Sequence, residues 1–287
     1  MATELAQKTD ELQDWFTQHE QRLARVAGHT LSPERAVQML IELGATNPRV
    51  LKCRKITLWR CVQVALETEL PIGGANGQLW ILPFKNSKLS AQSGREQIDA
   101  VPVIGYKGYV TMMGRGDNPA VVSPHLVYEG EPFEYDAGGG HEGSQQIRHR
   151  PDIFMRRGII KRLGDGATIA AVANEMNQRV VAAYSTATFA NGLESAYLMD
   201  RAQLDEAHQN SPGKNASDSP WRDPKAVEWM WKKTVVTKHC KYLPLGDNRT
   251  AVRAAQIDDH LENTSSDAAM DQMGMLGFDD PEDGPNA

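Results

Sequence analysis

Leu79-Trp80-Ile81-Leu82-Pro83-Phe84 and, beyond a polar stretch, Ala100-Val101-Pro102-Val103-Ile104-Gly105-Tyr106-Lys107-Gly108-Tyr109 decide how this chain folds. Each begins with a short β-type run, and the second breaks into a Tyr–Lys pair held between Gly105 and Gly108. Apolar runs this short, bounded by Gly, Pro and Asn, read as strands. Segments with helical spacing lie on both sides of them, so the expected class is α+β rather than an alternating parallel sheet. The Tyr–Lys pair is also the first candidate for function. Glycines let a backbone turn and approach something bulky, the lysine is a point charge, and Tyr106 and Tyr109 offer ring faces. Charge for phosphates and a platform for bases are what an unpaired nucleic-acid strand requires. An ordinary strand end with a turn accounts for the same pattern.

Upstream, Thr3 to Val26 reads as a charged helical arm with Leu5, Leu12, Phe16 and Leu23 sharing a face. Ser32-Pro33-Glu34 is a helix start, with a capping hydroxyl, a proline at the first position and an acid in the first turn. Gly44 is a suitable stop for that helix. A second helix is expected from Thr57 to Pro71, with Leu58, Val62, Ala65 and Leu66 on one face. Asn86 to Gln97 reads as a mobile loop, and a helix follows Lys107.

Downstream, Ser123 to Tyr128 and Val180 to Ala187 are extended, with a Gly-, His- and Arg-rich loop from Asp136 to Arg157. A helix is expected over Asp200 to His208, then a linker from Asn210 to Pro220. A strongly helical segment, Lys225 to Tyr242, is stopped by Pro244 and Gly246. The expected architecture is a helical N-terminal part, a small antiparallel sheet packed with helices, a long C-terminal helix and a disordered acidic tail. The corresponding division is an arm over 1–31, available for contact between subunits, a core over 32–250 and a flexible tail over 251–287.

With 287 residues, 40% hydrophobic and 24% charged, the composition is that of a globular protein. No apolar run approaches the roughly 18 residues of a membrane span, and Met1-Ala2-Thr3-Glu4 does not begin a signal peptide. The expected compartment is the cytoplasm. Cys53, Cys61 and Cys240 are odd in number and lack metal-ligand spacing, so they read as reduced thiols. The net charge of −6 hides an asymmetry. Nine acids and no Lys or Arg fall after residue 253, which leaves the body at +3. A mildly basic body with an acidic tail suits a nucleic-acid binder that must also be restrained; a tail that only confers solubility has the same composition.

On a helix of 100° per residue, Val227, Trp231 and Val235 form one apolar stripe, and Trp229, Val236 and Cys240 a second. Between them Lys233, Thr237 and Lys241 line up without an acid, a strip able to follow a phosphate backbone or simply to face solvent. Signals for enzyme chemistry are poor. Gly73-Gly74-Ala75-Asn76-Gly77 is followed by no Gly-Lys-Ser/Thr, so it reads as a tight turn rather than a P-loop. His141, Glu142 and His149 lack metal-ligand spacing and read as solvent-exposed. There is no nucleophile elbow, and no catalytic residue, metal or cofactor is expected.

Five blocks in order resemble the RecT-type single-strand annealing recombinases of phages and prophages. They are Leu70-Pro71-Ile72-Gly73-Gly74, Ile81-Leu82-Pro83-Phe84-Lys85-Asn86, Ile104-Gly105-Tyr106-Lys107-Gly108, Val127 to Tyr135, and Pro220-Trp221 with Lys232-Lys233-Thr234 and Lys241-Tyr242-Leu243-Pro244. The resemblance runs from about Ser32 to Gly246. It implies an ATP-independent protein without a hydrolytic site that binds single-stranded DNA and anneals complementary strands, as a ring or filament of like subunits, beside a resecting exonuclease in a bacterial cell. On that reading Lys85, Lys107, Arg115, Lys233 and Lys241 are expected on phosphates, with Lys232 and Lys238 on the same helix. Tyr106 or Tyr109 stacks on a base, shapes the groove or packs in the core. Two departures stand out: Ile153 to Gln178 reads as an insertion, and Thr237 stands where a basic residue is expected. Met275-Leu276-Gly277-Phe278-Asp279-Asp280 reads as a linear motif that docks a partner such as a host single-strand-binding protein, or shields the chain's own DNA groove. A metal-dependent DNA-processing enzyme and an oligomeric phage structural protein are the rival readings.

Overall fold

The computed structural model describes residues 2–73, 77–116, 118–136, 146–211, 214–215, 219–243, 248–264 and 266–281. The chain divides into two units, residues 1–112 with 245–287, and residues 113–244.

The first unit is organised around one helix. Helices α1 (Ala2–Gln18), α2 (Glu20–Val26), α3 (Pro33–Thr46) and α4 (Lys55–Thr68) open the chain. Ser32 caps α3 as expected, its hydroxyl accepting from the Arg35 N–H at 3.2 Å. Gly44 is not the stop, since α3 runs on to Thr46. A Cβ at Gly44 would lie 2.5 Å from Leu51, so the glycine serves a close approach instead. On α4 every residue from Thr57 to Leu66 is buried, including Arg60 and Gln63, so the helix is enclosed rather than one-faced. Trp59 stacks on Phe16 at 5.8 Å and meets Trp15 edge-on at 5.6 Å. The apolar face of the arm, with Leu12, Phe16 and Leu23 buried, is thus engaged within its own unit.

Strands β1 (Leu79–Lys85) and β2 (Ile98–Ile104) pair antiparallel with Leu79 opposite Ile104 and Lys85 opposite Ile98. The segment between them, expected as a loop, contains helix α5 (Ser87–Ser93). The Asn86 side chain caps it by accepting from the Leu89 N–H at 3.0 Å, a signal hidden among generic polar residues. Helix α6 (Tyr106–Met113) follows β2 after a single residue.

In the second unit β3 (Ala120–Tyr128), β4 (Phe133–Asp136) and β5 (Gln146–His149) precede helices α7 (Met155–Leu163) and α8 (Ile169–Gln178). Strands β6 (Val180–Phe189) and β7 (Glu194–Asp200), then α9 (Arg201–Asn210) and α10 (Pro224–Tyr242), complete it. The sheet order is β3-β6-β7, all antiparallel, and β4 and β5 form a separate ribbon. The expected loop from Asp136 to Arg157 is therefore structured at both ends. Its middle, with His141 and Glu142, lies outside the described residues, as do Gly74 to Asn76, Pro244 and Gly246. The stretch expected to be an insertion carries a small core of Ile159, Val172 and Met176. The main core joins Leu126, Ala183 and Met199 of the sheet to Trp231 and Val235 of α10.

The chain then returns to the first unit with α11 (Arg249–Asn263), α12 (Ser266–Gln272) and a 3-10 turn, Met273–Leu276. Here composition misleads: the stretch expected to be disordered is helical through Leu276. Ala251, Ala254 and Ile257 are buried on one face of α11, and Met270, Met273 and Phe278 are buried beyond it. Three of its acids are spent on arginines: Asp271 on Arg54 at 2.7 Å, Asp279 on Arg22 at 3.4 Å, and Asp280 on Arg60. Residues 282–287 lie outside the described residues. All three thiols are free and buried, and burial pushes Cys53 and Cys240 up to about 12 and Cys61 well above its ordinary value.

Two helical glycines give opposite expectations. A Cβ on Gly108 in α6 would lie 2.5 Å from the Gln78 carbonyl oxygen and 2.9 Å from Leu70, whereas one on Gly158 in α7 meets nothing within 4 Å. Replacing a helical glycine by alanine ordinarily gains about 1 kcal/mol, and overpacking costs about 1–3 kcal/mol. Urea titration is expected to show Gly158→Ala stabilised by up to about 1 kcal/mol and Gly108→Ala destabilised.

Candidate nucleic-acid interface

In the first unit the site is set by a backbone contact. Gly105 donates its N–H to the Gln78 carbonyl at 2.8 Å, and its own carbonyl accepts from Gly108 at 2.8 Å and Tyr109 at 3.2 Å. A Cβ on Gly105 would lie 2.2 Å from the Gly77 carbonyl oxygen. What the two glycines approach is therefore the backbone leading into β1, and α6 is fixed directly on the end of the ribbon. Lys107 is exposed in the first turn of α6, and Tyr106 is half-buried. A cation in a first turn adds to the positive end of the helix dipole, an arrangement that favours an anion in front of it.

Tyr109 is withdrawn from that surface. Its ring is 1% exposed and its hydroxyl donates to the Asp258 carboxylate on α11 at 2.5 Å, so it packs in the core rather than offering a face. Lys85 is exposed at the other end of β1. Six residues at about 3.3 Å each put it roughly 20 Å from the Gly105 end. Trp80 and Leu82, outward on the same strand, leave apolar surface between the two ends.

The second unit carries Arg115, half-buried, and the cations of α10. Asp223 caps α10 by accepting from the Lys225 N–H at 3.0 Å, with Pro224 at the first position. Val227, Trp231 and Val235 form the expected inward stripe. The second stripe holds only in part: Val236 and Cys240 are buried, but Trp229 is 56% exposed. In its N-terminal half α10 packs on the side of Val227, Met230 and Trp231, which turns Trp229 outward; in its C-terminal half it is enclosed on two sides. Lys232 lies over the exposed Trp229 ring at 4.7 Å, a cation–π pair. Lys233, Thr237 and Lys241 are half-buried, Lys238 is exposed, and Tyr242 projects beyond them with 69% of its surface open.

Two features escaped the sequence. His149, expected in solvent, has a side chain only 3% exposed, with Nε2 3.0 Å from Glu131, whose own side chain is 2% exposed. Glu131 also accepts from the N–H groups of Tyr128 at 2.8 Å and Asp152 at 2.7 Å, and His149 Nδ1 meets the Tyr184 hydroxyl at 3.2 Å. This pair ties the β4–β5 ribbon to the sheet. Trp229 escaped because a tryptophan at helical spacing reads as core. Among the described residues, no group of three or more His, Cys, Asp or Glu is placed to hold a metal ion, and no helix is long and apolar enough to cross a membrane.

Small antiparallel sheets packed with helices make this an α+β protein. The chain belongs to the RecT family, which it matches over residues 34–269. It is similar to Protein RecT of Escherichia coli (strain K12), 23% identical over 227 residues, or 78% of this chain and 71% of that one. Membership makes it a single-strand annealing protein of DNA recombination.

Beneath the α10 surface lies a titrating group. His239 is fully buried, with Nε2 3.2 Å from the Ser195 hydroxyl, and burial pushes it down to about 4. It stays neutral when folded and is free to protonate below about 6.5 when unfolded. Its stabilising share is therefore full above pH 6.5 and is lost as the pH falls toward 4, by about 3 kcal/mol. Urea titrations across that range are expected to show a drop in stability that His239→Leu reduces by about that amount.

Proposed function

We propose that this protein binds single-stranded DNA through cations on each unit and anneals complementary strands without ATP. The observation that carries the reading is Lys107, exposed on a helix start that Gly105 and Gly108 fix against β1, within a chain whose family match spans most of its length. Annealing is downhill, because stacking and pairing release about 1.4 kcal/mol per step. The protein's task is to offset repulsion between strands and hold bases in reach, which asks for charge and ring faces rather than nucleotide hydrolysis.

Lys85, Lys107, Arg115, Lys232, Lys233, Lys238 and Lys241 supply the charge. Tyr106 and Trp229, rather than Tyr109, are the rings open to a base. Side-by-side assembly of subunits extends a short contact along a strand, and the polar face of the N-terminal arm is available to neighbours. A resecting exonuclease supplies the single strand, and a host single-strand-binding protein is the partner that precedes this one on it.

Two substitutions separate charge from stacking. With seven phosphate contacts on a single strand, log K is expected to fall with log salt at a slope of about −5, and Lys107→Ala is expected to lessen that slope by about 0.7. Trp229→Ala is expected to weaken binding by about 1–3 kcal/mol and leave the slope unchanged. Annealing of two labelled complementary oligonucleotides without ATP tests the function itself. No acceleration over protein-free DNA at any salt concentration would overturn it.

A further inference from the structure

Arg60 places a guanidinium inside the enclosed helix α4, with 8% of its side chain exposed. Its charge is met from the C-terminal segment: the Asp280 carboxylate bridges Nε, at 3.0 Å, and Nη2, and the Met270 carbonyl accepts from Nη1. Beside it three donors converge on main-chain carbonyls. The Trp59 indole N–H and the Gln63 amide donate to Asp279 O at 2.9 and 3.2 Å, and Arg22 donates to Asp280 O at 2.8 Å. Phe278 is buried nearby, its ring 4.7 Å from the Arg253 guanidinium.

This is a built receptor for a short peptide: one slot for a ring, donors for main-chain oxygens, and a buried bidentate arginine for a carboxylate. Its occupant is an irregular stretch beyond the last helical turn, with Gly277 at φ +79° and Met275 83% exposed, and it is held by these contacts rather than by regular structure of its own. The family match covers Trp59, Arg60 and Gln63 but ends at residue 269, so receptor and occupant belong to different parts of the sequence. An empty seat would strand the arginine and the indole N–H, and burying either unpaired is costly. The seat therefore demands a substitute of the same chemistry before its occupant leaves. A phosphate could satisfy Arg60 alone, but not the ring slot together with donors aimed at main-chain oxygens.

We infer that this seat is a docking site for an acidic linear peptide of a partner protein, an aromatic residue followed by two carboxylates. Phe278-Asp279-Asp280 is then the tethered segment that fills it until such a peptide displaces it. The tether gives the internal segment a high effective concentration, so the intact chain is expected to bind a free peptide at least ~100-fold more weakly than a chain whose seat is vacated.

The test uses the full-length chain carrying Phe278→Ala and Asp280→Asn, and a fluorescein-labelled synthetic peptide of residues 274–281 as the probe. Saturable binding, weakened in the same chain by Arg22→Ala at the rim, is the expected result. A folded double variant that ignores the peptide, or binding indifferent to Arg22→Ala, would overturn the inference. Equally adverse is an oligo-dT that gains affinity for the double variant and displaces the peptide, which would make the seat a shielded DNA contact. If the double variant fails to fold, Asp279→Asn alone replaces it, since that carboxylate is at the rim. That variant must bind the probe more tightly than the unmodified chain, and equal affinity would count against the docking site.

Discussion

The burial of α4 is the constraint on which the first unit depends. A helix enclosed from Thr57 to Leu66 has no solvent face on which to put a charge, yet it carries Arg60 and Gln63. Polar groups in such a place need partners, and the partners come from more than 200 residues away, at Met270, Asp279 and Asp280. The C-terminal segment is thus an integral part of the unit. It is secured at two further points, by Arg54 to Asp271 at 2.7 Å and by the Ser87 N–H to Asp267 at 2.9 Å. Arg54 in turn meets Asp99, 2% exposed, which also accepts from Asn86 at 2.8 Å, so one network joins α4, β2, the α5 cap and the C-terminal helices.

The candidate strand-binding site rests on a different kind of contact. The Gln78 amide donates to the Thr111 hydroxyl on α6 at 3.0 Å, but the closest approach of α6 to the ribbon depends on side chains that are absent. Gly105 and Gly108 let two backbones meet, and Lys107 is carried outward between them at a helix start. Rigid placement matters for a charge that is to meet a ligand, because the ordering is done before the ligand arrives. Tyr109 contributes to the same rigidity by reaching Asp258 on α11.

In the second unit helices α7 and α8 bring a small core and lead into β6, whose pairing with β3 is continuous except for a register shift between Val127 and Tyr128. The Glu131–His149 pair holds the β4–β5 ribbon to that sheet through hydrogen bonds on nearly every available lone pair. Helix α10 changes character along its length, one-sided around Trp231 and enclosed around Val236 and His239. That change leaves Lys232 over the outward Trp229 indole, while Lys233 and Lys241 are half-buried on the same helix.

Local patterns in the sequence settled much of this. The cap at Ser32, the paired runs around β1 and β2, the long α10 and the lysine between two glycines are all legible because each is written in a few neighbouring residues. The order of five short blocks was enough to reveal the family. What the sequence left open depends on residues far apart. Nine acids among weak helix signals look like a flexible tail until three of them, Asp271, Asp279 and Asp280, are found on Arg54, Arg22 and Arg60. A histidine beside a glycine-rich turn looks exposed until Glu131 covers it, Trp229 looks like core until α10 shows which side it packs on, and Tyr109 looks like a platform until Asp258 takes its hydroxyl. Spacing along the chain fixes which face a residue shares. Only the tertiary structure decides what that face meets, because burial and pairing are properties of the partner as much as of the residue.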